Sequence, residues 1–227
     1  MSVFELPADD PRDRLRYPLK ETRLHQIALA AAGFFFRTLM ALEVEGGRNL
    51  PPAGGVIVAA NHLTDIDILP VQLALTRPLF FMDKAEIFQN RLAHALLRAL
   101  GAFPLYRGGR DQWALLHAQC LLKDGQVVGM FPEGTRSQGR GLKVARSDAA
   151  RLALTVNCPI LPVAIDGSPL LFKRFPRRSL VRVTICEPIY PNPGELPLAL
   201  TDRLMFTLAR ALPGRLRGVY AESPPGF

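Results

Sequence analysis

Cysteine is scarce in this chain, which has three in 227 residues. Cys120, Cys158 and Cys186 lie far apart, and no two of them have the spacing of a metal site or of a redox motif. They are typical of small buried apolar residues in a reducing compartment. The sequence therefore excludes a disulfide-stabilised secreted fold and predicts no metal site.

No secretory signal and no long apolar run are visible in the sequence, so we expect neither a secreted protein nor a spanning helix. Its first twenty residues are polar and rich in Pro, Asp and Arg, unlike a signal peptide. The longest apolar stretch covers residues 27–36 and resumes at residues 38–42, short of the ~20 residues that a spanning helix needs. Two interpretations stay open: a buried core helix, or a helix in the membrane interface with Arg16, Lys20, Arg23 and Arg37 at headgroup level.

Positive charge is in excess, with 28 Lys and Arg against 20 Asp and Glu and a net charge of +8. Such a protein favours anionic partners: nucleic acid, anionic lipid headgroups, or an acidic substrate or carrier. The basic residues are dispersed and are not interleaved with aromatic residues, as they would be in a platform that stacks single-stranded bases. We therefore expect no nucleic-acid partner.

Short apolar runs alternate with helical patterns after a Gly- and Pro-rich loop at residues 46–55. Strands are predicted at residues 56–60, 78–83, 103–106, 127–131, 160–165 and 180–185. Helices are predicted at residues 69–75, 86–100, 111–122, 147–156 and 198–212. This alternation predicts an α/β fold with a mostly parallel sheet flanked by helices, preceded by an apolar N-terminal helical segment. In such sheets the chemistry lies on loops beyond the carboxyl ends of the strands.

A polar segment, residues 61–67 (NHLTDID), follows the first predicted strand. His62 and Asp67 would diverge by about 140° on a helix and would point to opposite faces of a strand, so they meet only if the chain turns between them. They would then form a dyad in which Asp67 orients the imidazole and His62 takes a proton from a hydroxyl. The alternative is a helix capping box formed by Thr64 and Asp67, with His62 incidental.

A second polar segment, residues 131–137 (FPEGTRS), follows the strand at 127–131. Gly134 permits a positive φ or a close backbone approach. Arg136 can bind a phosphate through two parallel hydrogen bonds, and Thr135 adds a hydroxyl. Glu133 is expected to orient Arg136 or to bind a substrate hydroxyl. The alternative is an ordinary polar turn with a surface ion pair.

Two further segments are less specific. Residues 101–107 (GAFPLYR) place Arg107 after a short strand, where an arginine is commonly a solvated charge. Residues 160–165 (ILPVAI) form an apolar strand that contains a proline, and we assign this strand no direct chemistry.

Taken in order, these four segments resemble the four motifs of the lysophosphatidic acid acyltransferase family of glycerolipid acyltransferases. The resemblance covers residues 61–165, and its first and third segments are the specific ones. It implies a glycerolipid acyltransferase-like fold in which His62 is the general base and Asp67 holds it. It also implies a set of acceptor-binding residues: Arg107, Glu133, Gly134, Thr135 and Arg136.

The implied reaction is a direct attack of an acceptor hydroxyl on a thioester carbonyl, without an acyl-enzyme, a metal or a bound cofactor. The absence of a Gly-x-Ser-x-Gly segment agrees with this. We expect acyl-CoA or an acylated carrier protein as the donor and 1-acylglycerol 3-phosphate as the acceptor, giving phosphatidic acid.

The sequence departs from the family pattern at two places, with Thr64 where serine is common and residues 145–148 (ARSD) where a Phe-Lys and a glycine are usual. The second departure alters a loop near the acceptor site. Glycerol 3-phosphate or a lyso-aminolipid therefore stays open as the acceptor. A non-catalytic protein that binds anionic lipid and a thioester hydrolase are the remaining alternatives.

The predicted organisation is an apolar, membrane-associating helical segment (residues 1–45), an acyltransferase domain (46–213) and a C-terminal tail (214–227). The resemblance favours a membrane-lying helix, because the substrates of the family lie in the bilayer. It predicts a peripheral or monotopic protein on the cytoplasmic face. The basic residues Lys173, Arg174, Arg177 and Arg178 suit an anionic bilayer surface; the alternative is a solvated loop.

Overall fold

Seven strands form one sheet in the part of the chain that the computed structural model describes, which is residues 10, 12, 17–106, 111–171 and 177–222. The strands are β1 (Met40–Glu45), β2 (Val56–Ala60), β3 (Leu79–Lys84), β4 (Ala102–Leu105), β5 (Val127–Met130), β6 (Ile160–Asp166) and β7 (Ser179–Ile185). Their order across the sheet is β1-β7-β6-β2-β5-β3-β4. Neighbouring strands are parallel except for β6 and β7, which are antiparallel. The predicted fold class, a mostly parallel sheet flanked by helices, is confirmed.

The α-helices of the described chain are α1 (Arg23–Leu39), α2 (Ile68–Ala74), α3 (Arg91–Ala99), α4 (Gln112–Lys123), α5 (Asp148–Val156) and α6 (Pro197–Ala211). Helices α4, α5 and α6 pack on one face of the sheet, and α1 and α2 pack on the other. Every residue of β2 is buried, as are the first six of β6, because helices cover both faces of these central strands.

The predicted helix over residues 86–100 is wrong in its first part. A 3₁₀ turn covers Ala85–Gln89, and α3 starts at Arg91. The side chain of Asn90 accepts hydrogen bonds from the backbone N–H groups of Leu92 and Ala93, so it caps α3 and separates the two elements.

Residues 40–45 belong to the sheet. The apolar pattern predicts residues 38–42 as a continuation of the N-terminal stretch, but β1 pairs with β7 over its whole length, from Met40 opposite Ser179 to Glu45 opposite Thr184. The sheet therefore begins before residue 46. An edge strand with only one buried residue carries a weak period-2 pattern, so the sequence does not distinguish it from the preceding helix.

Helix α1 is the predicted N-terminal apolar helix, and most of its surface is uncovered. Thr22 caps it by accepting a hydrogen bond from the backbone N–H of His25. Only His25 and Gly33 are buried, whereas Leu24, Ile27, Phe34 and Phe35 are exposed. Within the described residues, no helix combines the length and the apolar character needed to cross a bilayer.

Arg12 joins the N-terminal region to the start of α4. Its guanidinium forms an ion pair with Asp111, the N-cap of α4, and donates to the carbonyl of Pro104. The same group lies 4.6 Å from the ring centroid of Tyr106 and 4.5 Å from that of Trp113. Burial favours the neutral form of Asp111, but hydrogen bonds from Arg12 and from two backbone N–H groups outweigh it and lower the pKa of this carboxyl.

We predict that Arg12→Ala lowers the free energy of unfolding by about 3 kcal/mol at pH 7, because it leaves the buried Asp111 carboxylate without its cation. The pKa of Asp111 is lowered in the folded state, so the stabilisation exists above the unfolded value of 3.8 and is lost as the pH falls through the folded value. Urea denaturation of both proteins at pH 7 and pH 3 should show the difference shrinking in acid.

Arg182→Ala is the matched control. Arg182 pairs with Glu43 on the surface, where the two side chains are 61% and 56% exposed, and such a pair contributes less than about 1 kcal/mol. Equal losses for the two substitutions would contradict a special role of the buried pair.

Candidate active site

A cleft of about 380 Å³ opens at the carboxyl ends of the parallel strands. His62 follows β2, Pro132 and Gly134 follow β5, Lys84 ends β3, and Tyr106 follows β4. Because β2, β5, β3 and β4 are consecutive parallel neighbours, their carboxyl ends meet at the same edge. The two polar segments singled out in the sequence therefore lie side by side.

The carboxylate of Asp67 is completely buried and accepts five hydrogen bonds. Its Oδ2 accepts from the backbone N–H groups of Leu63 (2.5 Å) and Thr64 (2.7 Å) and lies 3.1 Å from Nδ1 of His62. Its Oδ1 accepts from the hydroxyls of Thr64 (2.8 Å) and Ser168 (2.6 Å). Five donors around one carboxylate compensate the cost of burying its charge.

His62 is held in one tautomer by this contact. A carboxylate surrounded by donors can only accept, so Nδ1 carries the hydrogen that points to Asp67 and Nε2 keeps its lone pair. The imidazole stacks on Phe131, with ring centroids 4.0 Å apart and planes 13° from parallel. The side chain is 13% exposed and lines the cleft. This arrangement can take a proton from a hydroxyl bound there.

The turn between His62 and Asp67 has the geometry that the dyad requires. The predicted helix starts at Ile68, past the turn, so Pro70 lies in its first turn, where its missing N–H is tolerated. The alternative capping box forms only in half. The Asp67 carboxylate accepts from the backbone N–H of Thr64, but the Thr64 hydroxyl donates to that carboxylate and caps no backbone N–H, and α2 starts only at Ile68.

Glu133 is buried beside His62 and holds two loops together. Its Oε1 accepts from the backbone N–H of His62 and its Oε2 from that of Lys143, both at 2.9 Å. On the other side, the carbonyl of His62 accepts from the backbone N–H of Ser137 at 2.7 Å. Burial raises the pKa of Glu133, and the two N–H groups oppose that shift. These partners differ from those that the sequence suggested for this carboxylate.

Arg136 forms an ion pair with Asp65, not with Glu133, and both side chains are partly exposed. Gly134 has a φ of 64°, and a Cβ there would lie 3.4 Å from the side chain of Arg146. The ammonium of Lys143 donates to the carbonyl of Arg136 at 2.7 Å. Lys143 and Arg146 therefore lie beside the 131–137 segment, which contributes Arg136 itself, whereas the sequence had indicated that arginine alone.

The rest of the cleft is divided between charged and apolar surface. Lys84 and Arg146 line it together with four carboxylates, those of Asp65, Asp83, Asp111 and Asp148. The apolar lining includes Ile68, Phe81, Met82, Ile87, Leu105, Leu115 and Met130. Charged groups next to a long apolar surface suit a ligand with an ionic head and a hydrocarbon chain.

Two further side chains, those of Ser168 and Asn61, have structural roles that no sequence pattern assigned to them. Ser168 follows β6 and reaches Asp67 from 101 residues away. The side chain of Asn61 bonds both to the carbonyl and to the N–H of Ile165, which joins the ends of β2 and β6. A serine after an apolar strand carries no spacing signal, so only the three-dimensional fold identifies it.

Arg107 and residues 172–176 lie outside the described residues. Of the predicted site residues, His62, Gly134 and Thr135 line the cleft. Asp67 and Glu133 are buried and bind His62, and Arg136 pairs with Asp65 of the cleft wall. Arg178 donates to the carbonyl of Met40 at the end of α1, which ties this arginine to the N-terminal helix. Among the described residues, no three His, Cys, Asp or Glu side chains form a group that could hold a metal ion.

Comparison with known proteins points to one chemistry. A family model described as Acyltransferase matches residues 41–166, more than half of the chain. A 1-acyl-sn-glycerol-3-phosphate acyltransferase of Bacillus subtilis is 29% identical over 150 residues, covering 66% of this chain and 74% of that protein. A protein of the same name from Borreliella burgdorferi is 26% identical over 131 residues. That match covers 57% of this chain and 52%, about half, of the Borreliella protein.

A solved structure resembles most of this fold. The crystal structure of the 1-acyl-sn-glycerophosphate acyltransferase of Thermotoga maritima superposes with a TM-score of 0.68 at 27% identity. The match covers 88% of this chain and 86% of that one.

Proposed function

The chain belongs to the acyltransferase family, and we propose that it transfers a fatty acyl chain from a thioester to the free hydroxyl of 1-acylglycerol 3-phosphate, giving phosphatidic acid. The observation that carries the proposal is the His62–Asp67 contact at the carboxyl end of β2, beside a cleft whose walls carry both charged and apolar side chains. The names of the relatives in the two comparisons support the choice of acceptor.

We propose that His62 is the general base. Its Nε2 takes the proton of the acceptor hydroxyl while the oxygen attacks the thioester carbonyl carbon. The tetrahedral intermediate then collapses, the carbon–sulfur bond breaks, and the protonated imidazole returns the proton to the departing thiolate. Asp67 stabilises the positive charge that develops on the ring. No acyl-enzyme and no bound cofactor enter this scheme; acyl-CoA or an acylated carrier protein is a co-substrate.

The acceptor phosphate would bind next to the His62–Asp67 dyad, at the cationic side chains of and beside the 131–137 segment. We propose that Arg136 provides the main contact, because its ion pair with Asp65 is largely exposed and therefore weak enough for a phosphate to displace. Gly134 and Thr135 would contact the headgroup from the cleft wall. Arg107 is proposed to complete this set. Glu133 would act indirectly, by fixing the backbone of His62 through its hydrogen bond.

The apolar lining of the cleft would hold hydrocarbon. Phe81, Met82 and Met130 lie on the side formed by β3 and β5, adjacent to the strand that carries His62. Burying a chain against such residues stabilises binding by roughly 0.8 kcal/mol per CH₂ group. A long acyl chain can therefore contribute much of the substrate affinity.

We propose that α1 attaches the protein to the cytoplasmic face of a membrane. Leu24, Ile27, Phe34 and Phe35 follow a helical period and form one exposed apolar stripe, with Phe34 79% exposed. Helix α1 packs on α3, where Leu92 and Leu96 are also exposed. Arg37 lies in the last turn of α1, where it can contact anionic headgroups.

Other acceptors remain compatible with the same chemistry. Residues 145–148, which depart from the family pattern, place Arg146 and Asp148 in the cleft wall. Glycerol 3-phosphate or a lyso-aminolipid is thus a second candidate acceptor. A dyad of this kind can also activate water, which would make the protein a thioester hydrolase.

We predict that the purified protein converts labelled acyl-CoA and 1-acylglycerol 3-phosphate into labelled phosphatidic acid, and that His62→Ala lowers turnover by about 10²–10⁴-fold because the base is lost. Vesicle binding and the unfolding transition should be unchanged. Product formation is measured by separating labelled lipids over time, with acylated carrier protein as a second donor.

His94→Ala is the control, since His94 lies on α3 against Tyr17 and outside the cleft, and it should retain turnover. Free fatty acid released without an acceptor would instead indicate a hydrolase. Intact thioester with every donor and acceptor, alongside vesicle binding, would indicate a lipid-binding protein.

A second prediction concerns the membrane. Replacing Phe34 and Phe35 together by serine should weaken sedimentation with phosphatidylglycerol-containing vesicles at least tenfold, because each aromatic contributes roughly 1.5–3 kcal/mol when buried. The matched control is Leu196→Ser with Leu198→Ser, a comparably exposed pair at the start of α6, which lies on the opposite face of the sheet. Equal weakening in both variants, or none in the first, would contradict attachment through α1.

A further inference from the structure

Ser168 is a buried hydroxyl that touches the His62–Asp67 dyad from a different part of the chain. Its Oγ donates to Oδ1 of Asp67 at 2.6 Å, and the residue is 1% exposed. Oδ1 is the carboxylate oxygen that faces away from His62, since the imidazole contacts Oδ2. Among the described residues, the hydroxyl of Thr64 is the only other donor to Oδ1.

The backbone after β6 is built to deliver this hydroxyl. Gly167 has a φ of 91°, and a Cβ there would lie 2.2 Å from the carbonyl oxygen of Leu180, so only glycine fits. The chain therefore turns at once into the 3₁₀ turn Ser168–Leu170. The bonds between Asn61 and Ile165 hold the ends of β2 and β6 together just before this turn.

We propose that Ser168 is a positioning residue for the catalytic dyad: together with Thr64 it fixes Oδ1 of Asp67, so that Oδ2 stays directed at His62. This inference rests on the proposed function. The two hydroxyls restrain rotation of the carboxylate about its Cβ–Cγ bond, and Asp67 in turn sets the direction of the imidazole. By donating hydrogen bonds, the two hydroxyls also partly neutralise the negative charge of Asp67. This weakens the attraction of the carboxylate for the protonated ring of His62.

Removing the Ser168 hydroxyl should have two kinetic effects. The imidazole becomes less well oriented, so kcat falls about tenfold, the size expected for losing one hydrogen bond to a charged group. KM for the donor and the acceptor stays unchanged, because Ser168 does not line the cleft. With one hydrogen-bond donor fewer, the Asp67 carboxylate attracts the protonated His62 ring more strongly. The acidic limb of the pH–rate profile therefore moves to higher pH.

The experiment compares Ser168→Ala with Ser179→Ala. Ser179 is also fully buried, and its Oγ donates to the carbonyl of Leu170 at 2.6 Å, so its loss removes one buried hydroxyl bond in the same region without taking a donor from Asp67. Full profiles of kcat and kcat/KM against pH are measured for the wild type and both variants, with urea denaturation of each. Ser168→Ala should show the lower kcat and the shifted acidic limb, and Ser179→Ala should show neither.

Ser168→Cys guards against a folding failure, because it keeps nearly the same volume but has a much weaker donor. It should reproduce the loss of kcat and the shift. The inference is overturned if a folded Ser168 variant keeps the wild-type kcat and pH profile. It is also overturned if Ser179→Ala changes both as much as Ser168→Ala does. His62→Ala is run alongside: if it keeps full turnover, the proposed function itself fails, whatever Ser168 does.

Discussion

The buried carboxylate of Asp67 is the constraint on which the rest of the site depends. A charge removed from water must be matched by donors, and here five converge on it: two backbone N–H groups, two hydroxyls and the imidazole of His62. These donors come from the turn after β2 and from the turn after β6. The carboxylate therefore fixes the shape of the first turn, the direction of His62 and the relation between two strands. Glu133 plays a comparable part on the β5 side.

The fold could be predicted from the sequence because its central strands and helix ends carry strong local signals. The apolar strands β2 and β6, the Asp111 cap of α4 and the helix between Pro197 and Pro213 lie within a residue or two of their predicted places. The predictions were wrong at β1 and in the helix over residues 86–100, where the apolar periodicity is weak or interrupted. Edge strand β1 has a single buried residue, and Asn90 interrupts a pattern that reads as one helix. In both cases a cap or a tertiary pairing overrides the apolar periodicity.

The site was only partly visible in the sequence. The five-residue spacing of His62 and Asp67 required a turn, and the turn is present. Arg136 pairs with Asp65, and Glu133 binds the backbone N–H of His62. Both choices of partner depend on which polar groups the fold removes from water. Ser168 is 101 residues from Asp67 in the chain, and no local pattern indicates such a contact. Residues that bind backbone amides or reach across the sheet edge are determined by tertiary packing, which spacing alone does not encode.

The most direct test of the account is the turnover of Asp67→Asn. An asparagine has one acceptor oxygen where five donors converge, and its NH₂ group cannot accept from Nδ1 of His62. We predict that kcat falls at least about a hundredfold with KM for both substrates little changed. Asp166→Asn, which alters an ion-paired carboxylate at the end of β6 outside the cleft, should keep wild-type kcat. Wild-type turnover in a folded Asp67→Asn protein would contradict the claim that this carboxylate organises the catalytic base.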